Sequence, residues 1–457
     1  MHIRKLKENY AFLLGNNLND TLYGLENRLK NLPNYANSPG MYDFISESRG
    51  CYEGKPAIIV ASGPSLDKNI HFLKACQDKI LILCCDGSYT TLLKNGIKAH
   101  FIGSVERVWR TYEAFYEGKT FDEDLLLIAP AVVRPEIPAA FPNRFLSMFK
   151  DKDSYGIFMH ETLNEEKGKL WCGSSVAHLM FSFAEALKCS PIILVGQDLS
   201  YRRDGITHAD DSEVKELKPL DDKTIWLKGN YEDLVPSTPV WEKFLITYNE
   251  LVHLANANVI NATEGGAFIE GTTLATLDEA LTTYCIESIR LPIDIYKNIE
   301  GYNKLEEYLP TITDKIDTLY QKFEGLYKVL TKAVEKNLKA IERFNKGLKT
   351  QKQLDNVYDA IDYVEKKVVM LIAHDKDMMM LFQYPIQMAI HKVNQIDSQN
   401  YTLETIAQNL TIQYEMLLEI NHNCKRFMII FPKNCSDFMT FKALEWQDDP
   451  AYDIDRI

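Results

Sequence analysis

The chain lacks what would place it in a membrane, on a nucleic acid or outside a reducing compartment. No stretch approaches the roughly 20 consecutive apolar residues that span a bilayer. The opening MHIRKLKENYAFLLGNNLND carries basic residues but only a short apolar run before Asn16 and Asn17, so neither export nor membrane insertion is expected. Positive charge is scarce: 51 Lys and Arg stand against 64 Asp and Glu, a net charge of −13. A general nucleic-acid binder needs a basic face to displace phosphate counterions, so no such partner is expected, although a local pocket could hold one nucleotide. The nine cysteines are odd in number and none form C-x-x-C. Several, such as Cys84, Cys85 and Cys189, lie in or beside apolar runs, which reads as buried thiols of a cytoplasmic protein and excludes a disulfide frame. There is no H-E-x-x-H, no paired C-x-x-C and no G-x-S-x-G, which removes support for zincin, zinc-ribbon and α/β-hydrolase chemistry.

What is present suffices for more than one core. At roughly 150 residues per domain, 457 residues make two or three units, and 46% hydrophobic content is not that of a disordered chain. Three textures follow one another. Residues 1–50 are polar and aromatic, with one helix expected from Leu18 to Leu32. Residues 51–285 alternate short apolar runs with helical patterns, and residues 286–457 read as helices, with glycine nearly gone after residue 300. In the middle region Ala57–Ala61, Ile80–Cys85, His100–Val105, Leu125–Ala129 and Ile192–Gly196 are continuous apolar runs. Strands buried on both faces have this pattern, and the intervening helices suit βαβ crossovers. The expected fold is a doubly wound, mostly parallel α/β domain of Rossmann-like type with an all-α C-terminal domain. In the last third, Ile316, Leu319, Phe323, Leu326, Leu330, Val334, Leu338 and Ile341 form one apolar stripe, and further stripes run through Val357–Leu381 and Leu403–Ile420. The three could form an antiparallel bundle, with the chain ordered nearly to its end.

Four constellations could carry chemistry. After the first strand, Ser62-Gly63-Pro64-Ser65 opens a helix, where backbone N–H groups and a helix dipole could receive a phosphate. Any strand–loop–helix corner can look the same, and neither the Walker lysine nor the GxGxxG spacing is present. The second strand ends at Asp86-Gly87 and the third runs on to Glu106. Acids at this edge could bind ribose or sugar hydroxyls or a metal; equally, Asp86 could cap a helix and Glu106 form a surface ion pair. Gly173, Ser174 and Ser175 open a helix that offers a second anion site. It leads into Gly196-Gln197-Asp198-Leu199-Ser200-Tyr201, with His208 in the polar loop beyond, the natural type of group to deprotonate a hydroxyl nucleophile, or simply an exposed histidine. His178 and His253 sit among apolar helical residues and read as structural. Finally, Asn261-Ala262-Thr263-Glu264-Gly265-Gly266 could close over a ligand or be only a bend.

Taken in order, VASGPSL, CCDGS, SVE, GSSVAHLMFSFAEAL, PIILVGQDLSY, THAD and NATEGGAFIEGT resemble the motility accessory factor (Maf) family over about residues 50–275. That resemblance implies a cytoplasmic glycosyltransferase moving a nonulosonic acid, of pseudaminic, legionaminic or sialic type, from its CMP-activated form to Ser or Thr hydroxyls of flagellin. The family's central domain is also similar to family 42 sialyltransferases, in which a glycine-rich first loop holds CMP and a histidine is the base. By motif match Ser62, Gly63, Pro64 and Ser65 would line the nucleotide, with Asp86 and Gly87 beside it. Ser174 and Ser175 would hold the phosphate or sugar carboxylate. Gln197, Asp198, Tyr201, Glu264 and Gly265 would border the sugar or acceptor. His208 would be the base, or else Glu106, which stands where Maf sequences often carry aspartate. No metal or other cofactor is obligatory in this reading, and the helical third would serve as a platform for flagellin or self-association. Two alternatives remain. A pterin pyrophosphokinase uses a related domain, in which Asp86, Glu106 and Asp198 could bind Mg²⁺ beside ATP. A non-catalytic flagellin-binding protein would keep the pocket unused.

Overall fold

The computed structural model describes residues 18–151, 167–302, 304–396 and 402–430. Two compact units emerge: Asn31–Tyr308, and Met1–Lys30 together with Leu309–Ile457. The expected order of the chain end concerns residues 431–457, outside the described part.

The first unit is built on nine parallel strands: β1 (Ala57–Val60), β2 (Leu81–Cys85), β3 (Phe101–Gly103), β4 (Leu126–Pro130), β5 (Phe145–Lys150), β6 (Lys169–Leu170), β7 (Ile192–Val195), β10 (Val259–Asn261) and β11 (Thr273–Leu274). A separate antiparallel hairpin, β8 (Ile225–Lys228) and β9 (Leu234–Ser237), lies between β7 and β10 in sequence. The order across the sheet is β11-β10-β7-β1-β2-β3-β4-β5-β6. Every residue of β1 is fully buried, as a strand paired on both sides and covered on both faces requires. The Val176–Ala186 helix packs so closely on the sheet that a Cβ on Gly103 would meet Met180 Cε at 2.6 Å. The expected Rossmann-like class is therefore the observed one.

The first fifty residues do not stay together as the composition led us to expect. Asn31 donates from Nδ2 to the carbonyls of Ala131 (3.0 Å) and Val133 (2.7 Å), and Ser147 Oγ donates to the Pro39 carbonyl at 3.1 Å. Phe44 meets Phe101 edge-on at 5.5 Å. These contacts bind residues 31–50 to the sheet, while the Leu18–Lys30 helix belongs with the C-terminal helices.

The second unit is all helical. Phe323, Phe382 and Phe427 join the Leu305–Asn345, Lys376–Asn394 and Leu403–Ile430 helices, with Phe323 and Phe427 stacked at 4.6 Å. The long helix corrects the stripe read from sequence. From Ile316 onward its buried positions are Ile316, Leu319, Phe323, Leu326, Leu330, Ala333, Asn337 and Ala340, whereas Leu338 is 39% exposed. That is a strict alternation of three and four, so the seam follows the heptad phase through small and polar residues rather than the larger Val334 and Leu338. The stripe expected over Val357–Leu381 is likewise divided: Asp375 caps a new helix, accepting N–H bonds from Asp377 and Met378, both at 3.0 Å.

Candidate functional site

Strands β2 to β6 spread to one side of β1, and β7, β10 and β11 to the other. The loops leaving the C-terminal ends of β1 and β7 therefore stand side by side at a switch point, the place where open α/β sheets bind ligands. Three loops interlock there. Gly63 donates its N–H to the Gly196 carbonyl at 2.8 Å, and a Cβ at Gly63 would lie 2.1 Å from Asp198 Oδ2. Ser65 donates to Asp198 from its backbone N–H (3.2 Å to Oδ1) and from Oγ (2.7 Å to Oδ2). Ala267 donates its N–H to the Asp198 carbonyl at 2.7 Å, and Gly266, at φ +73°, passes so near that a Cβ would touch Asp198 Cα at 2.4 Å. Only glycine lets three backbones approach this closely. Lys68 Nζ to the Glu264 carbonyl (2.7 Å) and Asn69 Nδ2 to the Ala262 carbonyl (3.1 Å) add further ties between the first and last loops. Burial pushes the Asp198 carboxyl up to about 6, with the Ser65 bonds opposing the shift.

The second and third strands feed the same edge. Asp86 is the first residue of the Asp86–Lys94 helix, and Gly87 lies against the first loop, since its Cβ would stand 3.4 Å from Ser62 Oγ. Glu106 is exposed on the loop after β3. The His208 loop is tied to the first loop: Ala209 donates its N–H to the Ser62 carbonyl at 2.9 Å, and Asp210 donates its N–H to Asp67 Oδ2 at 3.0 Å. His208 Nδ1 lies 2.9 Å from Thr207 Oγ1, which donates to the Glu216 carbonyl at 2.9 Å. Because that hydroxyl has given its own proton away, it accepts from Nδ1–H, leaving Nε2 of His208 as the proton acceptor. Burial lowers the His208 pKa, so the imidazole is neutral at neutral pH.

The Val176–Ala186 helix begins at this edge and is linked to β7 through two residues. Ser174 donates its N–H to His178 Nδ1 at 3.2 Å; His178 Nε2 lies 3.1 Å from the Phe244 carbonyl, and its ring packs 4.6 Å from Tyr248. Tyr248 in turn donates its hydroxyl to Gln197 Oε1 at 3.0 Å. His178 is fully buried and held down at about 4, chiefly by desolvation, so it is neutral.

Several expected ligand contacts are thus turned inward. Ser175 Oγ caps its own helix by accepting the His178 N–H at 3.3 Å, and the Ser174 N–H is already bonded. The Asp198 carboxylate is engaged by Ser65. The Tyr201 hydroxyl pairs with Thr224 Oγ1 at 3.0 Å, beside the hairpin. Glu264 accepts from Asn69 through Oε1 at 3.4 Å. Ser62, Gly63, Pro64, Ser65, Asp86, Gly87, Gln197, Asp198, Glu264 and Gly265 nevertheless gather on one sheet edge, with His208 tied to it. Sequence reasoning missed Tyr248 as the link to Gln197 and Tyr116 as a buried neighbour of Asp86, and it named Thr263, whose Oγ1 accepts the Gln197 N–H at 3.2 Å, without giving it a role. The polar Thr263 after an apolar strand was a usable signal; Tyr116 and Tyr248 gave none. Among the described residues no three His, Cys, Asp or Glu gather as a metal site, and no helix is long and apolar enough to cross a membrane.

Residues 26–204 match the family described as 6-hydroxymethylpterin diphosphokinase MptE-like, a family typical of Maf proteins. The match takes in the loops after β1, β2, β3 and β7 but stops short of His208 and the Thr263 loop. No curated protein matches the chain significantly. Among solved structures, that of a Maf glycosyltransferase from Magnetospirillum magneticum is similar, with a TM-score of 0.55 at 18% identity over 91% of this chain and 61% of that one. The chain thus spans about 61% of that protein's length. At this identity the likeness is one of fold, and it is the fold that the motif resemblance implied.

Proposed function

We propose that the chain is a glycosyltransferase that takes a nonulosonic acid from its CMP-activated form and passes it to Ser or Thr hydroxyls of flagellin in the cytoplasm, in support of flagellar assembly and motility. The observation that carries this reading is the interlock of the Ser62–Ser65, Gly196–Asp198 and Thr263–Gly266 loops at the switch point, with a neutral histidine tied beside it. In this reading Ser62, Gly63, Pro64, Ser65, Asp86 and Gly87 hold the cytidylate, and Ser174 and Ser175, at the mouth of their helix, face the phosphate or the sugar carboxylate. Gln197, Glu264 and Gly265 border the sugar. Asp198 and Tyr201 act from behind, fixing the loops.

The reaction is substitution at the anomeric carbon with CMP leaving. Negative charge grows on the departing phosphate, and oriented backbone dipoles and hydroxyls stabilise it without having to reorganise. The acceptor hydroxyl gives its proton to Nε2 of His208 as the new C–O bond forms. Glu106, exposed at the rim, is the alternative acceptor of that proton. The donor's own chemistry requires no metal. Co-expression of flagellin, this chain and a CMP-nonulosonate pathway, read by intact mass, tests the proposal: flagellin should gain nonulosonic acid residues, and an unchanged mass would leave a binding role in its place.

The family match favours one other reading, a diphosphokinase acting on a magnesium-bound nucleoside triphosphate. Asp86, Glu106 and Asp198 would be its acids, although the Asp198 carboxylate is already engaged by Ser65. Calorimetry with CMP, and with ATP plus Mg²⁺, separates the two: magnesium-dependent ATP binding with none for CMP would select the diphosphokinase.

A further inference from the structure

The β8–β9 hairpin is fastened to the last loop of the site. Asn230, between the two strands, donates its N–H to the Gly266 carbonyl at 2.9 Å and Nδ2 to the Gly265 carbonyl, and accepts from Asn261 Nδ2 at 3.2 Å. The direction in which each peptide group of the hairpin faces follows from its register. In an antiparallel ladder alternate residues exchange hydrogen bonds with the partner strand, and those between turn their N–H and C=O outward. The pairs are Ile225–Ser237, Trp226–Pro236, Leu227–Val235 and Lys228–Leu234, and Pro236 has no N–H to give. Ile225 and Leu227 therefore bond to β9, in phase with the Gly229 N–H to the Asp233 carbonyl (3.4 Å), and Trp226 and Lys228 face away from it.

Most of the outward groups have partners. On β9, the Pro236 carbonyl accepts the Tyr201 N–H at 3.0 Å, and the Leu234 carbonyl accepts from Arg203 Nη2 at 3.1 Å. On β8, residues 266–268 run antiparallel beside residues 228–230: the Phe268 N–H meets the Lys228 carbonyl at 2.8 Å, and Gly229 stands opposite Ala267. This cover then ends. Glu270, which would face Trp226 if the run continued, gives its N–H to Asn249 Oδ1 at 3.0 Å instead. Among the described residues nothing bonds to the N–H or C=O of Trp226. The residue is 42% exposed, with the Arg203 guanidinium over its ring at 5.6 Å, and Arg203 is itself held by Glu232 Oε2 at 3.0 Å. Such a gap in a ladder is complementary to another backbone, one that accepts the Trp226 N–H on a carbonyl and donates an N–H to the Trp226 carbonyl.

We propose that this gap holds an extended segment of the acceptor polypeptide, which continues the line of residues 266–268 and packs a side chain on the Trp226 ring. The proposal rests on the transferase reading and adds the place where its protein substrate docks. Four residues of strand, about 13 Å, separate Trp226 from Asn230 and the loop it holds. The segment runs antiparallel to β8, so the hydroxyl that receives the sugar lies about four residues to the N-terminal side of the paired position. A second copy of the chain is a poorer occupant. Two such edges would share a single residue pair, far short of the roughly 1,200 Å² that a stable interface buries, whereas a substrate that must leave after transfer needs only a weak hold.

The test is binding of labelled monomeric flagellin to the full chain by fluorescence anisotropy, together with amide hydrogen exchange of the wild type. Trp226→Val keeps the N–H and loses the ring; Trp226→Pro loses both, at a position where β9 receives no N–H. Kd for flagellin should weaken about tenfold in Trp226→Val and about a further tenfold in Trp226→Pro, with Kd for CMP unchanged in both. In the wild type the Trp226 amide should exchange freely and become protected when flagellin binds, a readout that stands even where a variant folds poorly. Equal affinity of all three proteins for flagellin, or an amide left unprotected in the complex, overturns the proposal while the transferase reading stands. Equal losses in the two variants assign the effect to the ring and overturn the backbone pairing. A wild-type dimer that Trp226→Pro dissolves with flagellin binding intact gives the edge to a second copy and overturns it too. A wild type that binds CMP but no flagellin overturns the acceptor reading and the proposal with it.

Discussion

Replacing Asp198 by asparagine should make the α/β unit relatively more stable as the pH rises. The carboxyl is 4% exposed and raised from its ordinary 3.8 to about 6. A group so shifted holds its proton more tightly folded than unfolded by about 3 kcal/mol. The sign follows from proton counting. Below about pH 4 the acid is protonated in both states and costs nothing; between about pH 4 and pH 6 the folded state binds more protons, so stability falls as pH rises; above about pH 6 the full cost is present. The variant would be spared that cost: the amide oxygen of its new side chain can still accept from Ser65 N–H, and the NH₂ can donate to Ser65 Oγ. The measurement is urea unfolding of wild type and Asp198→Asn followed by tryptophan fluorescence. That signal reports chiefly on this unit, because Trp109, Trp171, Trp226 and Trp241 lie within Asn31–Tyr308. Other titrating groups, Asp86 included, are common to both proteins and cancel in the difference. That difference should shift by about 2 kcal/mol toward the variant between about pH 4.5 and about pH 8, the first ~1 kcal/mol having already appeared below about pH 4.5. A difference flat with pH would refute the claim that the locking carboxylate is ionised at a cost. Ser65→Ala, which removes the Oγ bond that favours ionisation, should move the same transition to higher pH.

Other consequences follow from the geometry. Gly63→Ala puts a Cβ 2.1 Å from Asp198 Oδ2 and 2.5 Å from the Gly196 carbonyl; about 3 kcal/mol of strain should appear as a lower unfolding midpoint, together with at least a tenfold weaker Kd for CMP. His208→Ala should slow sugar transfer at least 100-fold while changing CMP affinity less than about twofold, and a comparable loss of both would assign His208 to binding instead. Because burial lowers the His208 pKa, the acid limb of the wild-type rate should lie below the usual imidazole range, and stopped-assay rates against pH will locate it. In the helical unit, Asn337→Leu fills a heptad seam position whose Asn Oδ1 has no partner, so the thermal midpoint of that unit should rise by the equivalent of about 1 kcal/mol.

The strands were legible because burial on both faces leaves an uninterrupted apolar run, and five of the runs fell on β1, β2, β3, β4 and β7 within a residue or two. β5 was hidden because FLSMFK breaks the run with Ser147, a residue needed to hold the Pro39 carbonyl. At the site, the loops were legible from their glycines, but the direction of each side chain was not. Asp198 looks like a ligand contact, as any acid just past a strand does; its partner Ser65 lies 133 residues earlier in the chain. Tyr201 and Ser174 misled for the same reason, since their partners come from the segment before the β8–β9 hairpin and from the helix interior. The helical stripe went wrong where Val334 and Leu338 outweighed Ala333 and Asn337 in hydrophobicity. Phase along a long helix is set by its neighbours, and size alone does not reveal it.

The passage of the chain out of the helical unit after Lys30 and back into it at Leu309 has a bearing on biosynthesis. Leu22, Leu25 and Leu29 leave the ribosome before any strand of the sheet, yet the later residues that share their unit are made only after the whole sheet has been translated. Until then this short amphipathic helix is without its permanent neighbours, an apolar face open to chaperones or to premature association. The sheet, by contrast, is complete in one uninterrupted stretch and can settle while the ribosome is still working. Removing the first thirty residues would therefore injure the far end of the protein and spare the part that follows them.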